Sequence, residues 1–201
     1  YFYIGQYSAS GMKVRGILKF DLSAFPSNAQ IVSATLSIAV GYVIPYQGSG
    51  YALSVYPLLQ NWNESSVSWY MNTSSSYWGA SGASGASDIS SSIGSFEIIN
   101  SPGYVHNVPL NISSIDSIAN GLLLKNSEVE YSEISWASSE YATASMRPKL
   151  TIQYTLPSTT VTPTTPQNPE NVALNKSLSS SGTLYYSSYS NDGNKDTTLY
   201  S

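Results

Sequence analysis

The 201-residue chain has no cysteine, one histidine, four phenylalanines and only 10% charged residues. Each shortage excludes something. Without cysteine there are no disulfides and no thiolate metal sites, so the fold must be held by its core, by bound ions or by assembly. With 8 Lys+Arg against 12 Asp+Glu and a net charge of −4, no basic face is available to neutralise phosphates, which argues against nucleic acid and anionic membrane surfaces as partners. No run approaches the ~18 apolar residues that a membrane-spanning helix needs. Tyr1 to Tyr7 show no basic segment leading into an apolar one, so neither membrane insertion nor a leader is expected from this stretch.

What the chain has instead is hydroxyl groups. Serine is its most abundant residue and tyrosine reaches 17, while charge stays far below the usual ~25%. Such a surface hydrogen-bonds without repelling itself. It suits an extracellular or cell-surface protein that touches sugars, cell walls or copies of itself.

Period-two alternation dominates the pattern. Val32, Ala34, Leu36, Ile38 and Val40 are apolar with Ser33, Thr35 and Ser37 between them, which reads as a half-buried strand. Val14, Leu18, Phe20 and Leu22 alternate likewise with Arg15, Lys19 and Asp21, and Leu150, Ile152 and Tyr154 with Lys149, Thr151 and Gln153. Shorter strands are expected near Tyr51–Tyr56, Phe96–Ile99, Tyr104–Leu110, Gly121–Lys125 and Tyr131–Trp136, separated by Gly, Ser, Pro and Asn. Only Ile112–Ala119 has a helical spacing, enough for a turn or two. Many short strands without alternating helices predict an all-β fold, an antiparallel β-sandwich of jelly-roll type over residues 1–155. Leu156–Glu170, LPSTTVTPTTPQNPE, is a Thr/Pro-rich linker with an extended reach of roughly 45 Å at ~3.1 Å per residue. The remaining 171–201 is too short to fold alone without metal or disulfide.

Two resemblances are carried by specific residues. RGILKFDLSAFPSNAQIVSATLSIAV (Arg15–Val40), LLQNWNESSVSW (Leu58–Trp69), GLLLKN (Gly121–Asn126) and SSEYATASMRPKLTIQY (Ser138–Tyr154) resemble, in order, segments of the DNRLRE family, also grouped with a carbohydrate-binding module family. The resemblance implies a non-catalytic sandwich of surface and polysaccharide-acting proteins. NVALNKSLSSS (Asn171–Ser181) and NDGNKDT (Asn191–Thr197) are similar to the opening of discoidin-type (F5/8 C) sugar-binding domains, with Leu199 where that family usually has tryptophan.

Catalytic motifs are lacking. His106 sits in a Tyr-Val-His-Asn strand with no Gly-x-Ser-x-Gly or His-Glu-x-x-His pattern beside it. Glu128, Glu130 and Glu133 cluster near a strand start and read as a solvated face rather than the paired carboxylates of a glycosidase. The chain is therefore read as a non-enzyme that requires no cofactor. Asp192, Asn194 and Asp196 form a D-x-N-x-D run that opens like an oxygen-ligand Ca2+ loop, and serve equally as a tight turn. An ion near this position is also what the discoidin resemblance implies.

Tyr77 and Trp78, in the Ser/Gly/Ala-rich loop Asn72–Ser87, are the candidate sugar-stacking platform, the other reading of Trp78 being a plug for the sandwich end. Trp62, Trp69 and Trp136 are assigned to the core. N-glycosylation sequons stand at Asn63, Asn72, Asn111 and Asn175, about as many as this composition yields by chance.

Two functions follow. The first is an extracellular structural or adhesive module assembling head to tail, as a fibre or repeat array. Tyr1 falls inside what resembles a family strand, so a sheet edge is expected to be open, and DTTLYS followed by YFYIGQYSASG reads as one continuous passage. The tail 171–201 is then expected to dock on a neighbouring copy. The second is a carbohydrate-binding module of a larger secreted polysaccharide-acting enzyme.

Overall fold

The computed structural model describes residues 1–7, 11–42, 51–157, 181–187 and 197–200. They form two antiparallel sheets, the sandwich that the alternation requires. The strands are β1 (Phe2–Gln6), β2 (Lys13–Leu18), β3 (Gln30–Ala39), β4 (Ala52–Pro57), β5 (Gly94–Glu97) and β6 (Val105–Leu110). They continue as β7 (Leu122–Asn126), β8 (Ile134–Trp136), β9 (Lys149–Thr155), β10 (Ser181–Ser187) and β11 (Thr197–Tyr200). One sheet runs β5-β4-β7-β2-β1-β8, with β11 also paired to β2, and the other runs β10-β9-β3-β6. Bonds from Gly41 N to Ser135 O (2.8 Å) and Ala137 N to Ala39 O (2.9 Å) tie the end of β3 to β8, so the first sheet curls towards the second at this corner.

The main core lies between the sheets. Leu36 and Ile38 of β3, Val108 of β6 and Leu150 and Ile152 of β9 meet Phe2, Ile4, Leu18, Leu53, Val55, Leu122 and Leu124 from the curled sheet. Burying each such side chain contributes about 1.5–3 kcal/mol, which is what fixes the register of the alternating strands. Val32 departs from the expected pattern. Ile31 opposes Tyr154 and Ser33 opposes Gln153, leaving Val32 as the extra residue of a β-bulge and 63% exposed. Ile31 takes its place against the core.

Residues 58–90 build a second apolar layer on the outer face of the curled sheet. Ile17 and Leu123, which alternation directs away from the main core, are fully buried there with Leu58, Trp62, Trp69, Trp78 and Ala83. Both faces of β2 and β7 are thus covered. The helical spacing at Ile112–Ala119 becomes one 3-10 turn, Ile115–Ile118, where the Ser114 side chain accepts from Asp116 N. Gly5 (φ +135°) lets β1 pass from β2 to β8 directly against the Ser132 carbonyl, where a Cβ would collide.

Candidate functional site

Of the expected platform, only half faces solvent. Tyr77 is 68% exposed, whereas Trp78 is 5% exposed, packed in the outer layer with its indole N–H donating to Ser68 O at 3.0 Å. Trp78 is a plug and not a stacking surface, because the 58–90 segment needs a large apolar group to seal itself onto β2 and β7. Trp62, Trp69 and Trp136 are buried, as expected. The loop between them is organised by Asp88, which is fully buried and accepts from Gly79 N (2.6 Å), Ala80 N (2.9 Å), Gly85 N (2.8 Å) and Gln60 Nε2 (2.7 Å).

The acidic cluster is not the solvated face that its sequence suggests. Glu133 is buried, Glu128 is half-buried with its side chain 7% exposed, and Glu130 is exposed. Glu128 takes the Arg15 guanidinium on both oxygens, with Nη2 to Oε2 at 3.0 Å and Nε to Oε1 as the second bond, and Lys13 Nζ stands 3.5 Å away. Burial pushes the Glu128 carboxyl up. The Arg15 hydrogen bond and the charges of Arg15, Lys125 and Lys13 outweigh it and hold the group below its ordinary value. Glu133 has burial alone and is raised. Arg15 and Glu128 tie β2 to the segment that follows β7. His106 is likewise buried, with Nε2 near the Ile99 backbone and its ring among those of Phe96, Tyr104 and Trp136. Burial lowers its pKa against the opposing bond to Ile99.

Among the sequons, Asn63 and Asn111 are exposed. Asn72 is 5% exposed, its amide donating to Gln60 Oε1 (2.9 Å) and Asn61 O (3.1 Å) and its oxygen accepting from Ser76 Oγ (2.6 Å). No amide hydrogen is left for a glycan, so Asn72 is a structural crosslink. Asn175, and the Asp192, Asn194 and Asp196 calcium candidate, lie outside the described residues. Among the described residues no three His, Cys, Asp or Glu side chains converge as a metal site.

The tail contributes two strands. β10 pairs with β9 from Ser181↔Thr155 to Ser187↔Lys149, and β11 pairs with β2 from Thr197↔Ile17 to Tyr200↔Val14. In the single chain these pairings are made with its own sheets, where a neighbouring copy was the expected partner. β10 forms the edge of its sheet, and Gly16 and Ile17 of β2 have partners on both β7 and β11.

Four tyrosines that no motif singles out meet at the curled corner. Tyr1 and Tyr3 alternate on one face of the β1 end, Tyr42 follows β3, and Tyr141 comes from the loop after β8. Tyr3 and Tyr42 hydroxyls are 2.8 Å apart and those of Tyr1 and Tyr141 3.4 Å. The Tyr1 ring is edge-on to Tyr42 (5.0 Å between centroids) and to Tyr141 (5.2 Å). Tyr1 lies over Gly41, where any side chain would collide with it. Tyr1 and Tyr141, with Ser138, Glu140, Ala142 and Thr143, line an open depression of about 390 Å³. Behind the same loop a second, of about 240 Å³, is lined by Ser37, Asn107, Arg147 and Lys149. The only sequence signal was the Tyr-x-Tyr spacing at Tyr1 and Tyr3; the other two rings arrive through the fold.

The chain matches no family model, no curated protein and no solved structure.

Proposed function

We propose that this protein is an extracellular, non-catalytic structural or adhesive module that assembles with copies of itself by exchanging its C-terminal strands. One observation carries the reading. β10 lies directly opposite β9 in an antiparallel pair, a geometry that a hairpin connection of about 2–5 residues achieves. Here all of 156–180, including the Thr/Pro-rich stretch, stands between them. A strand on so long a connection reaches its own β9 or that of the next copy with the same backbone hydrogen bonds, and concentration decides which. Strand addition to a sheet edge is a recurrent mode of protein association. The burial of His106 and Glu133 and the engagement of both Glu128 oxygens by Arg15 support the non-catalytic part.

The absence of cysteine provides a clean test. Gln153→Cys with Thr183→Cys places two thiols at directly opposed positions, within disulfide distance across an antiparallel pair. Exchange between copies gives a covalent ladder on a non-reducing gel, and truncation after Pro157 gives monomers by light scattering. A monomer band alone at high protein concentration, with the disulfide formed, defeats the reading. A second reading, a carbohydrate-binding module of a larger secreted enzyme, is favoured by the exposed ring of Tyr77.

A further inference from the structure

We infer that β10 and β11 pass between copies as one unit, so that the tail of one chain fastens both sheets of a second copy of this chain. The inference rests on the strand-exchange reading and specifies the surface it uses. Placement comes first. β10 pairs with β9 over Ser181↔Thr155 to Ser187↔Lys149, in the sheet that also holds β3 and β6, whereas β11 pairs with β2 of the curled sheet over Thr197↔Ile17 to Tyr200↔Val14. One tail therefore supplies a strand to each layer of the sandwich. Only residues 188–196 join the two strands, a stretch that spans at most ~30 Å when fully extended, against the ~10 Å between packed sheets. The same connection already serves both pairings in the single chain, so a copy that receives β10 presents β2 at the same place.

Chain length locates the point of exchange. Residues 156–180 extend up to about 80 Å, enough to leave one sandwich and meet the next, whereas 188–196 reach less than half as far. Energetics argue the same way. β11 spans four residues, short for a strand, and adds few backbone bonds by itself. Once the seven residues of β10 are paired, the pairing of β11 with that same copy becomes intramolecular. The effective concentration over a short connection is of the order of millimolar, and the two pairings together exceed either affinity by roughly 10²–10⁴. Other ends of the sheets are less available. Asn111 N donates to Ile93 O at 2.7 Å, closing the end of β6 against the start of β5, and β6 carries Pro109, which has no N–H for a further strand. The corner of β3 and β8 is closed by the bonds of Gly41 N and Ala137 N. Donor and acceptor are different surfaces, a heterologous arrangement that propagates into a filament when it does not close on itself.

The test uses two full-length chains whose introduced thiols have no opposed partner in their own chain. The acceptor carries Val14→Cys and Gln153→Cys, and the donor Thr183→Cys and Tyr200→Cys, at positions opposed in the two pairings. They are unfolded, mixed, refolded at high concentration, oxidised and resolved on a non-reducing gel. The donor–acceptor band is then treated with a maleimide polymer that adds mass at every remaining thiol. The expected product is a 1:1 band with both disulfides and complete loss of reactive thiols. A 1:1 band joined through 153 and 183 alone, with the thiols at 14 and 200 still reactive, overturns the inference, because β11 has then stayed with its own chain. One donor joined to two acceptors overturns it as well, because the strands have then gone to different copies. Val14 is buried, so Ile17→Cys in the acceptor with Thr197→Cys in the donor repeats the measurement should Val14→Cys fail to fold. No donor–acceptor band in either pairing, together with monomer alone for Gln153→Cys with Thr183→Cys, defeats the strand-exchange reading and this inference with it. A ladder from that single chain without any bond at β2 defeats this inference alone.

Discussion

Arg15 and Glu128, separated by 113 positions, form a two-pronged ion pair in which both side chains are less than 8% exposed. The third guanidinium nitrogen of Arg15, Nη1, donates to Gly82 O, and its carbon lies 4.8 Å from the centre of the Trp69 ring. The pair therefore rivets the outer layer to β2. Gly82 has φ +72°, and a Cβ there would stand 2.7 Å from both Arg15 Nη1 and the Trp69 ring, so the carbonyl reaches the arginine only because the residue is glycine. Glu128 itself is at φ +51°, a strained position for a non-glycine residue that the ion pair helps to hold.

Breaking this pair from one side leaves a buried charge without its partner. Arg15→Met is expected to destabilise the fold by about 3–5 kcal/mol, and Arg15→Met with Glu128→Leu by clearly less. Chemical denaturation of the two variants measures the difference; equal losses would mean that packing on Trp69, not charge, is the contribution of Arg15. Because Glu128 is held below its ordinary pKa, its contribution is complete above the unfolded value and is lost as pH falls through the folded one.

Glu133 has the opposite sign. Burial raises its pKa, so the folded state carries a penalty at neutral pH that is relieved as pH falls through the raised value and is gone below the unfolded one, about 4.3. Glu133→Gln should raise the melting temperature at pH 7 and leave it unchanged near pH 3. A gain that is the same at both pH values would show that the carboxylate charge is not the cause.

The bulge in β3 makes a paired prediction. Leu36 is fully buried between Val108 and Leu150, and Leu36→Asp places an unpaired carboxylate there at several kcal/mol against a total stability of about 5–15 kcal/mol. The domain should not fold. Val32→Asp, four residues earlier on the same alternation, should change stability by no more than about 0.5 kcal/mol. Circular dichroism melts of the two proteins decide it, and similar melts would place the register shift elsewhere.

Glycan mapping by mass spectrometry after expression in a host that modifies Asn-x-Ser/Thr should find occupancy at Asn63 or Asn111 and none at Asn72. Asn72→Ala should cost about 1–3 kcal/mol, since Gln60 and Ser76 lose a buried partner. A glycan at Asn72 on folded protein would contradict its three hydrogen bonds.

By itself the sequence determined several of the strands and much of their inward faces. Alternation at Ala34, Leu36 and Ile38 and at Leu150 and Ile152 is a local property of a period-two backbone, and the structure places these side chains in the core. β9, Lys149–Thr155, was legible for the same reason, whereas the pairing of β10 and β11 with the sheets was not. Tertiary structure alone decided what covers the other faces. Arg15 and Glu128 read as solvated charges until residues 58–90 fold over β2. Trp78 reads as an open ring until the same layer needs a seal. The bulge at Val32 appears only when β9 supplies the register against which β3 slips. The tyrosine corner joins positions 1, 3, 42 and 141, and no periodicity links residues so far apart. Their meeting depends on β3 and β8 being tied at the corner, a long-range contact that alternation cannot encode.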